Sequence, residues 1–189
     1  MPALNALIPV DDYLAGELVS DVKHEYLGGE VHAMPGASNR HNKVAMNTLL
    51  TLGTSLRGKP CRPFNSDTKV RIHYFNHTRF YYPDAMVVCD ENRDEDQWQD
   101  RPVVIVEVLS ESTRRTDLAE KRDAYLTIPS LRVLLFAEPD RPALIVHRRA
   151  TDGGFVREDY TGLDAVVLLP EIESSLPLAE VYEGVDFGR

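Results

Sequence analysis

Residues 101–125 read RPVVIVEVLSESTRRTDLAEKRDAY. Val103 to Val106 form an apolar, β-branched run that reads as a buried strand over 103–109, with one carboxylate, Glu107, near its end. A charge in such a run is costly unless it is paired or bound to a cation. The hydroxyl-rich bend Ser110-Glu111-Ser112-Thr113 follows. Beyond it the spacing predicts a helix over 116–127, with Thr116 as N-cap, Asp117 favourable against the helix dipole, and Lys121 one turn further on. Ile128-Pro129 stops that helix.

Working outward, the run Tyr81 to Val88 reads as a second apolar strand, with Pro83 tolerated at its start or on an edge and Asp84 beside it. Thr68 to Tyr74 alternates as a strand with one wet face, and Asn76-His77 makes a turn. Between these strands and the opening stretch lies the acidic segment DENRDEDQWQD, 90–100, which lacks the spaced ligands and glycine of a calcium loop and reads as a solvated connection. Residues 38–56 carry the stripe Val44, Ala45, Leu49, Leu52, Leu56 of a helix with one buried face. Ser38 or Asn39 caps it, Arg40 and His41 sit in its first turn, and Gly53 and Gly58-Lys59-Pro60 close it. Before it, residues 23–34 (KHEYLGGEVHAM) predict a β-hairpin about Gly28-Gly29, with Leu27 facing Glu30 and Glu25 facing His32. Both glutamates then share one face, and for Glu25 a solvated face is the competing reading. A short amphipathic helix is expected around Val10–Leu14. Downstream, Leu131–Ala137 is a strand, Ala143–Arg149 and Phe155–Tyr160 form a second hairpin, Asp164–Leu169 a last strand, and Leu178–Tyr182 a closing helix. The class is α+β: hairpins and meanders around two main helices, in one domain over residues 1–189.

The bulk composition bounds the function. The chain has 189 residues, 43% hydrophobic, with a net charge of −9. That balance argues against a tight, non-specific nucleic-acid binder, but leaves room for a local basic groove. No apolar run approaches a membrane span, and the first residues lack a basic start and cleavage pattern, so a cytoplasmic protein is expected. Cys61 and Cys89 stand far apart without a metal-ligand spacing and are expected to be reduced thiols.

Asp84 and Glu107 lie in strands flanking one loop and are expected to be neighbours in a sheet. Two converging carboxylates are the oxygen ligands that a hard cation such as Mg²⁺ (or Mn²⁺) takes, and that cation keeps waters available as nucleophile. Lys121 would stabilise a pentavalent phosphate or help deprotonate the attacking water. The plain alternative makes Asp84 a turn residue and Asp117–Lys121 an i,i+4 surface pair worth a few tenths of a kcal/mol. Other constellations are weaker. His73 and His77 lie on a strand and turn where they need not converge on zinc. Ser110 and Ser112 lack a nucleophile elbow, and no phosphate loop occurs.

The string Pro83-Asp84, then Val106-Glu107-Val108-Leu109-Ser110-x-Ser112-Thr113, then Asp117-x-x-x-Lys121-x-x-x-Tyr125, resembles the Uma-type restriction endonuclease family, a bacterial branch of the PD-(D/E)xK nuclease superfamily. The hairpin with Glu25, Gly29 and Glu30 and the helix opening with His41 are similar to its pattern, so the resemblance spans roughly residues 12–150. It implies a mixed β-sheet flanked by helices, Mg²⁺-dependent cleavage of nucleic acid, with DNA the expected form, and often a homodimer. Asp84 would be the PD aspartate and Glu107 the acidic residue of the half-motif; both would hold the metal. The superfamily lysine belongs two residues after Glu107, where this chain has Leu109, and the resemblance implies that Lys121 supplies it from the next helix. Glu30 would complete the metal shell and His41 would contact a phosphate. The rival reading keeps the fold without turnover, as a nucleic-acid-binding or regulatory module; a third reading is hydrolysis of a small phosphate ester.

Overall fold

The computed structural model describes residues 7–188. The chain opens with helix α1 (Val10–Glu17), then strands β1 (His24–Leu27) and β2 (Glu30–Ala33). Gly28 and Gly29 take φ of 65° and 114°, the left-handed backbone that a two-residue hairpin turn requires. The register is the expected one, Leu27 opposite Glu30 and Glu25 opposite His32. Helix α2 (Asn39–Ser55) follows, with Ser38 as its cap accepting from the His41 N–H at 3.2 Å.

Next come β3 (Arg62–Asn65), β4 (Lys69–His73), β5 (Thr78–Tyr81) and β6 (Ala85–Val88). The run Tyr81–Val88 is therefore two strands, not one. Pro83 has no N–H for a ladder, and the chain breaks at 82–84 to cross from one sheet to another. The acidic connection is also not wholly a loop. It contains β7 (Trp98–Gln99), parallel to β4, and Arg71 clamps Asp100 through two hydrogen bonds of 2.7 Å.

The opening stretch forms β8 (Pro102–Val108), then a short turn of helix α3 (Arg114–Thr116), a π-helical turn Asp117–Lys121, and α4 (Arg122–Leu126). Thr116 makes no side-chain cap. The bend caps itself instead: Ser110 Oγ accepts from the Thr113 N–H at 3.1 Å. This helical segment is the crossover that parallel strands need, and it returns the chain to β9 (Val133–Ala137), which pairs parallel with β8. The chain ends with β10 (Ala143–Arg149), β11 (Phe155–Thr161), β12 (Val166–Leu169), β13 (Ser174–Pro177) and α5 (Leu178–Val181).

A six-stranded mixed sheet runs β11-β10-β9-β8-β6-β3, and a five-stranded sheet runs β2-β1-β5-β4-β7. Alternation along β8 splits the core. Val104, Val106 and Val108 pack with α2, α5 and β12–β13, whereas Ile105 and Leu109 pack with Tyr125, Ile128 and residues of the second sheet. Glu107 has the parity of Ile105 and Leu109, so it faces the helical crossover. Leu109, two residues after Glu107, is fully buried in that apolar cluster.

The two cysteines are not free thiols. Cys61 and Cys89 flank the paired strands β3 and β6, where Arg62 lies opposite Val88, and they form a disulfide across the pair. Their separation of 28 residues hid a contact that only the sheet register creates.

Candidate active site

Asp84 and Glu107 meet because of register. Ala85 lies opposite Val106 in the antiparallel pair of β6 and β8, and one more step along it sets Asp84 opposite Glu107. Asp84 Oδ2 accepts from the Val108 N–H at 2.7 Å and lies 3.3 Å from His41 Nε2. Glu107 is only 4% exposed and accepts from the Tyr125 hydroxyl at 2.6 Å.

Lys121 does return over the strand end. Its ammonium lies 2.7 Å from Glu25 Oε1, 3.5 Å from Asp117 Oδ1 and 3.7 Å from Glu107 Oε1. It is 6% exposed, so the pair with Asp117 is a buried one and not a surface pair. The π-helical turn runs from Asp117 to Lys121, the two residues whose side chains enter the site. Such turns widen the helix locally and concentrate at functional sites. Thr113 Oγ1 fixes Asp117 by donating to Oδ2 at 2.6 Å.

The expected residues divide plainly. Asp84, Glu107, Lys121 and His41 come together around one cleft of about 1570 Å³. Glu30 does not join them: its side chain is 69% exposed and sits 3.4 Å from His32. Its place is taken by Glu25 on the same hairpin face. The reason is strand order, since β2 is the edge of its sheet whereas β1 is interior, beside β5. Sequence reasoning gave Asp117 and Tyr125 no part in the site itself. The signal that could have found them is helical spacing, because Asp117, Lys121 and Tyr125 recur every four residues on one face.

Burial sets the electrostatics. It pushes the Glu107 carboxyl up to about 8; Lys121 pulls it down, and the charges of Asp84 and Asp117 add to the rise. Burial raises Asp117 as well. For Lys121, burial works against the ammonium, but Glu107, Glu25 and Asp117 outweigh it and hold the amine well above its ordinary value. For His41, burial also opposes the charged ring; the hydrogen bond and charge of Asp84, with the Val108 backbone, raise its pKa overall.

Among the described residues no three His, Cys, Asp or Glu side chains group as a complete ligand set for a metal. The arrangement nonetheless fits a magnesium ion, which typically takes one or two carboxylates and completes its shell with water and phosphate oxygens. Glu25, Asp84, Glu107 and Asp117 converge, and among the described residues Lys121 and His41 are the cations at ion-pair distance from them. Burial disfavours the charged form of Glu107 even with Lys121 nearby, and a divalent cation held by Asp84 and Glu107 would offset that cost.

A solved structure described as a "putative nuclease", from Anabaena variabilis, superposes with a TM-score of 0.70 over 93% of this chain and 97% of that one, at 17% identity. The fold is thus the mixed α+β arrangement seen in that protein. A family model described as "Putative restriction endonuclease", Uma2, matches residues 10–179. The chain belongs to the Uma2 family. An uncharacterized protein of Synechocystis sp. is 30% identical over 178 residues, 94% of this chain and 92% of that one. A second from the same organism is 30% identical over 139 residues, 72% of this chain and 77% of its own length.

Proposed function

We propose that this protein is a Mg²⁺- or Mn²⁺-dependent endonuclease that hydrolyses phosphodiester bonds in nucleic acid, with DNA as the substrate. One observation carries the reading: Asp84, Glu107 and Lys121, drawn from a strand junction, a buried strand and a helix, converge in one cleft. Asp84 and Glu107 would hold the cation. When bound, it would supply Lewis-acid stabilisation of the phosphate and a water of lowered pKa.

The protein's own groups divide the remaining work. Lys121, held as an ammonium by three carboxylates, is unsuited to take a proton from water near neutrality. Its role is to stabilise negative charge developing on the phosphate oxygens. Glu25 and Asp117 position that ammonium, and Tyr125 orients the Glu107 carboxylate. His41, in the first turn of α2, is placed to donate to a phosphate oxygen. The cleft volume of about 1570 Å³ favours a polymer over a small phosphate ester, since small-molecule sites run to roughly 300–1,000 Å³.

The test is plasmid nicking by purified protein with Mg²⁺ or Mn²⁺, alongside Asp84→Ala and Glu107→Ala. Both substitutions should abolish cleavage. Cleavage that survives Glu107→Ala would sink the assignment, and tight binding without cleavage by the unmutated chain would favour the regulatory module.

A further inference from the structure

A second cavity, of about 340 Å³, lies on the flank of the cleft, with Val22, Lys23 and Tyr82 lining both. Tyr82 stands two residues before Asp84, so the two spaces adjoin at the sheet crossing. On the floor of this cavity is Lys69, the first residue of β4 and 3% exposed. Its strand neighbour on the same face, Arg71, has Asp100 as a bidentate partner. Among the described residues Lys69 has no carboxylate at ion-pair distance. Its ammonium donates to Tyr82 Oη at 3.2 Å and to Gln97 Oε1 at 3.5 Å, and it lies 5.1 Å from the centre of the Tyr82 ring.

A buried ammonium without a counter-ion costs stability, and a methionine of similar length would not. Burial lowers its pKa; the charge of Glu17 opposes that in part, and the nearby Lys23 adds to the lowering. Three carboxylates also face the cavity, and each is already engaged. Glu17 accepts from Tyr82 at 2.7 Å and from the His24 N–H at 3.1 Å. Asp67 pairs with Lys23 and accepts from Asn65, and Asp96 pairs with Arg93 at 2.8 Å. Lys69 is left as the cation with donor capacity to spare, and a compact ammonium with rotatable donors suits a phosphate.

We propose that Lys69, with Lys23 at the boundary, forms a phosphate subsite that holds a backbone phosphate neighbouring the one cut. As a nucleic-acid subsite it rests on the nuclease reading above. It gives a protein of net charge −9 one ammonium donor, not paired with a carboxylate, to offer the substrate.

The experiment is done on the full chain in EDTA, so that no cleavage is needed. Inorganic phosphate should bind the unmutated chain saturably and bind Lys69→Met at least about tenfold more weakly, with no fall in the melting temperature of the variant. For a short single-stranded oligonucleotide, the slope of log K against log salt should shrink by about 0.7 in Lys69→Met, one phosphate contact's worth. On the unmutated chain, phosphate should shift the Lys69 side-chain resonances in NMR, which decides the matter even if the variant misfolds. Equal phosphate binding by both proteins, or no shift at Lys69, overturns the proposal. Lost phosphate binding with an unchanged oligonucleotide slope also overturns it, because the ligand is then free phosphate. If these binding results hold while nicking fails, the nuclease reading falls and the phosphate subsite stands.

Discussion

Replacing Glu107 with glutamine should stabilise the metal-free protein while destroying its activity. Burial pushes this carboxyl from an ordinary 4.5 up to about 8. The folded chain therefore binds a proton there that the unfolded chain releases, and stability falls as pH rises between those two values. From 4.5 to pH 7 each pH unit is worth about 1.4 kcal/mol, so the ionisable side chain lowers stability at pH 7 by roughly 3 kcal/mol. Glutamine is the same shape, keeps an acceptor for Tyr125 and ionises at no pH. Glu107→Gln should gain up to that amount at pH 7 in EDTA, more at pH 8, and almost nothing at pH 4.5. Urea unfolding of both proteins at several pH values measures the difference directly. Adding Mg²⁺ should stabilise only the unmutated chain. A variant that is less stable at pH 7, or whose gain does not change with pH, would refute the placement of Glu107 as a buried carboxylate lacking a cation.

Lys121→Met leaves Glu25, Glu107 and Asp117 without their ammonium and should cost about 3–5 kcal/mol in urea unfolding at pH 8, and less at lower pH as Glu107 and Asp117, which burial raises, take up protons; a cost under about 1 kcal/mol would place Lys121 in solvent. Cleavage should strengthen as pH rises towards 8, because Glu107 must lose its proton to hold a cation, and metal affinity measured calorimetrically should rise by up to about tenfold per unit below that value. Asp84→Asn should return the His41 pKa towards its ordinary value, read from ring proton shifts in NMR, since Asp84 is what raises it. Thiol titration of the native protein should find no free cysteine, and Cys61→Ser should lower stability by about 3 kcal/mol through the lost loop constraint.

Local signals in the chain were enough for much of the fold. The Gly28-Gly29 turn set the first hairpin and its register, because only a turn of that backbone shape closes two residues between strands. The apolar stripe and Ser38 cap set α2. At 81–88 local pattern failed, since periodicity does not say which sheet a strand joins and Pro83 marks a crossing between two of them. The segment after Ser110 also escaped it: a π-helical turn differs from an α-helix by one hydrogen-bond register, which composition does not encode.

For the site, the sequence by itself determined that Glu107 needed positive charge, because an apolar strand cannot solvate a carboxylate. It also nominated Asp84 and Lys121 as neighbours. Only the tertiary structure decided that β1, not β2, faces the helical crossover, so that Glu25 and not Glu30 holds Lys121. Both glutamates share a hairpin face, and nothing within the hairpin distinguishes them. The difference comes from which strand lies inside the sheet, a long-range pairing that makes one carboxylate a buried partner and leaves the other in water. The disulfide has the same origin, since two cysteines become partners only when β3 pairs with β6.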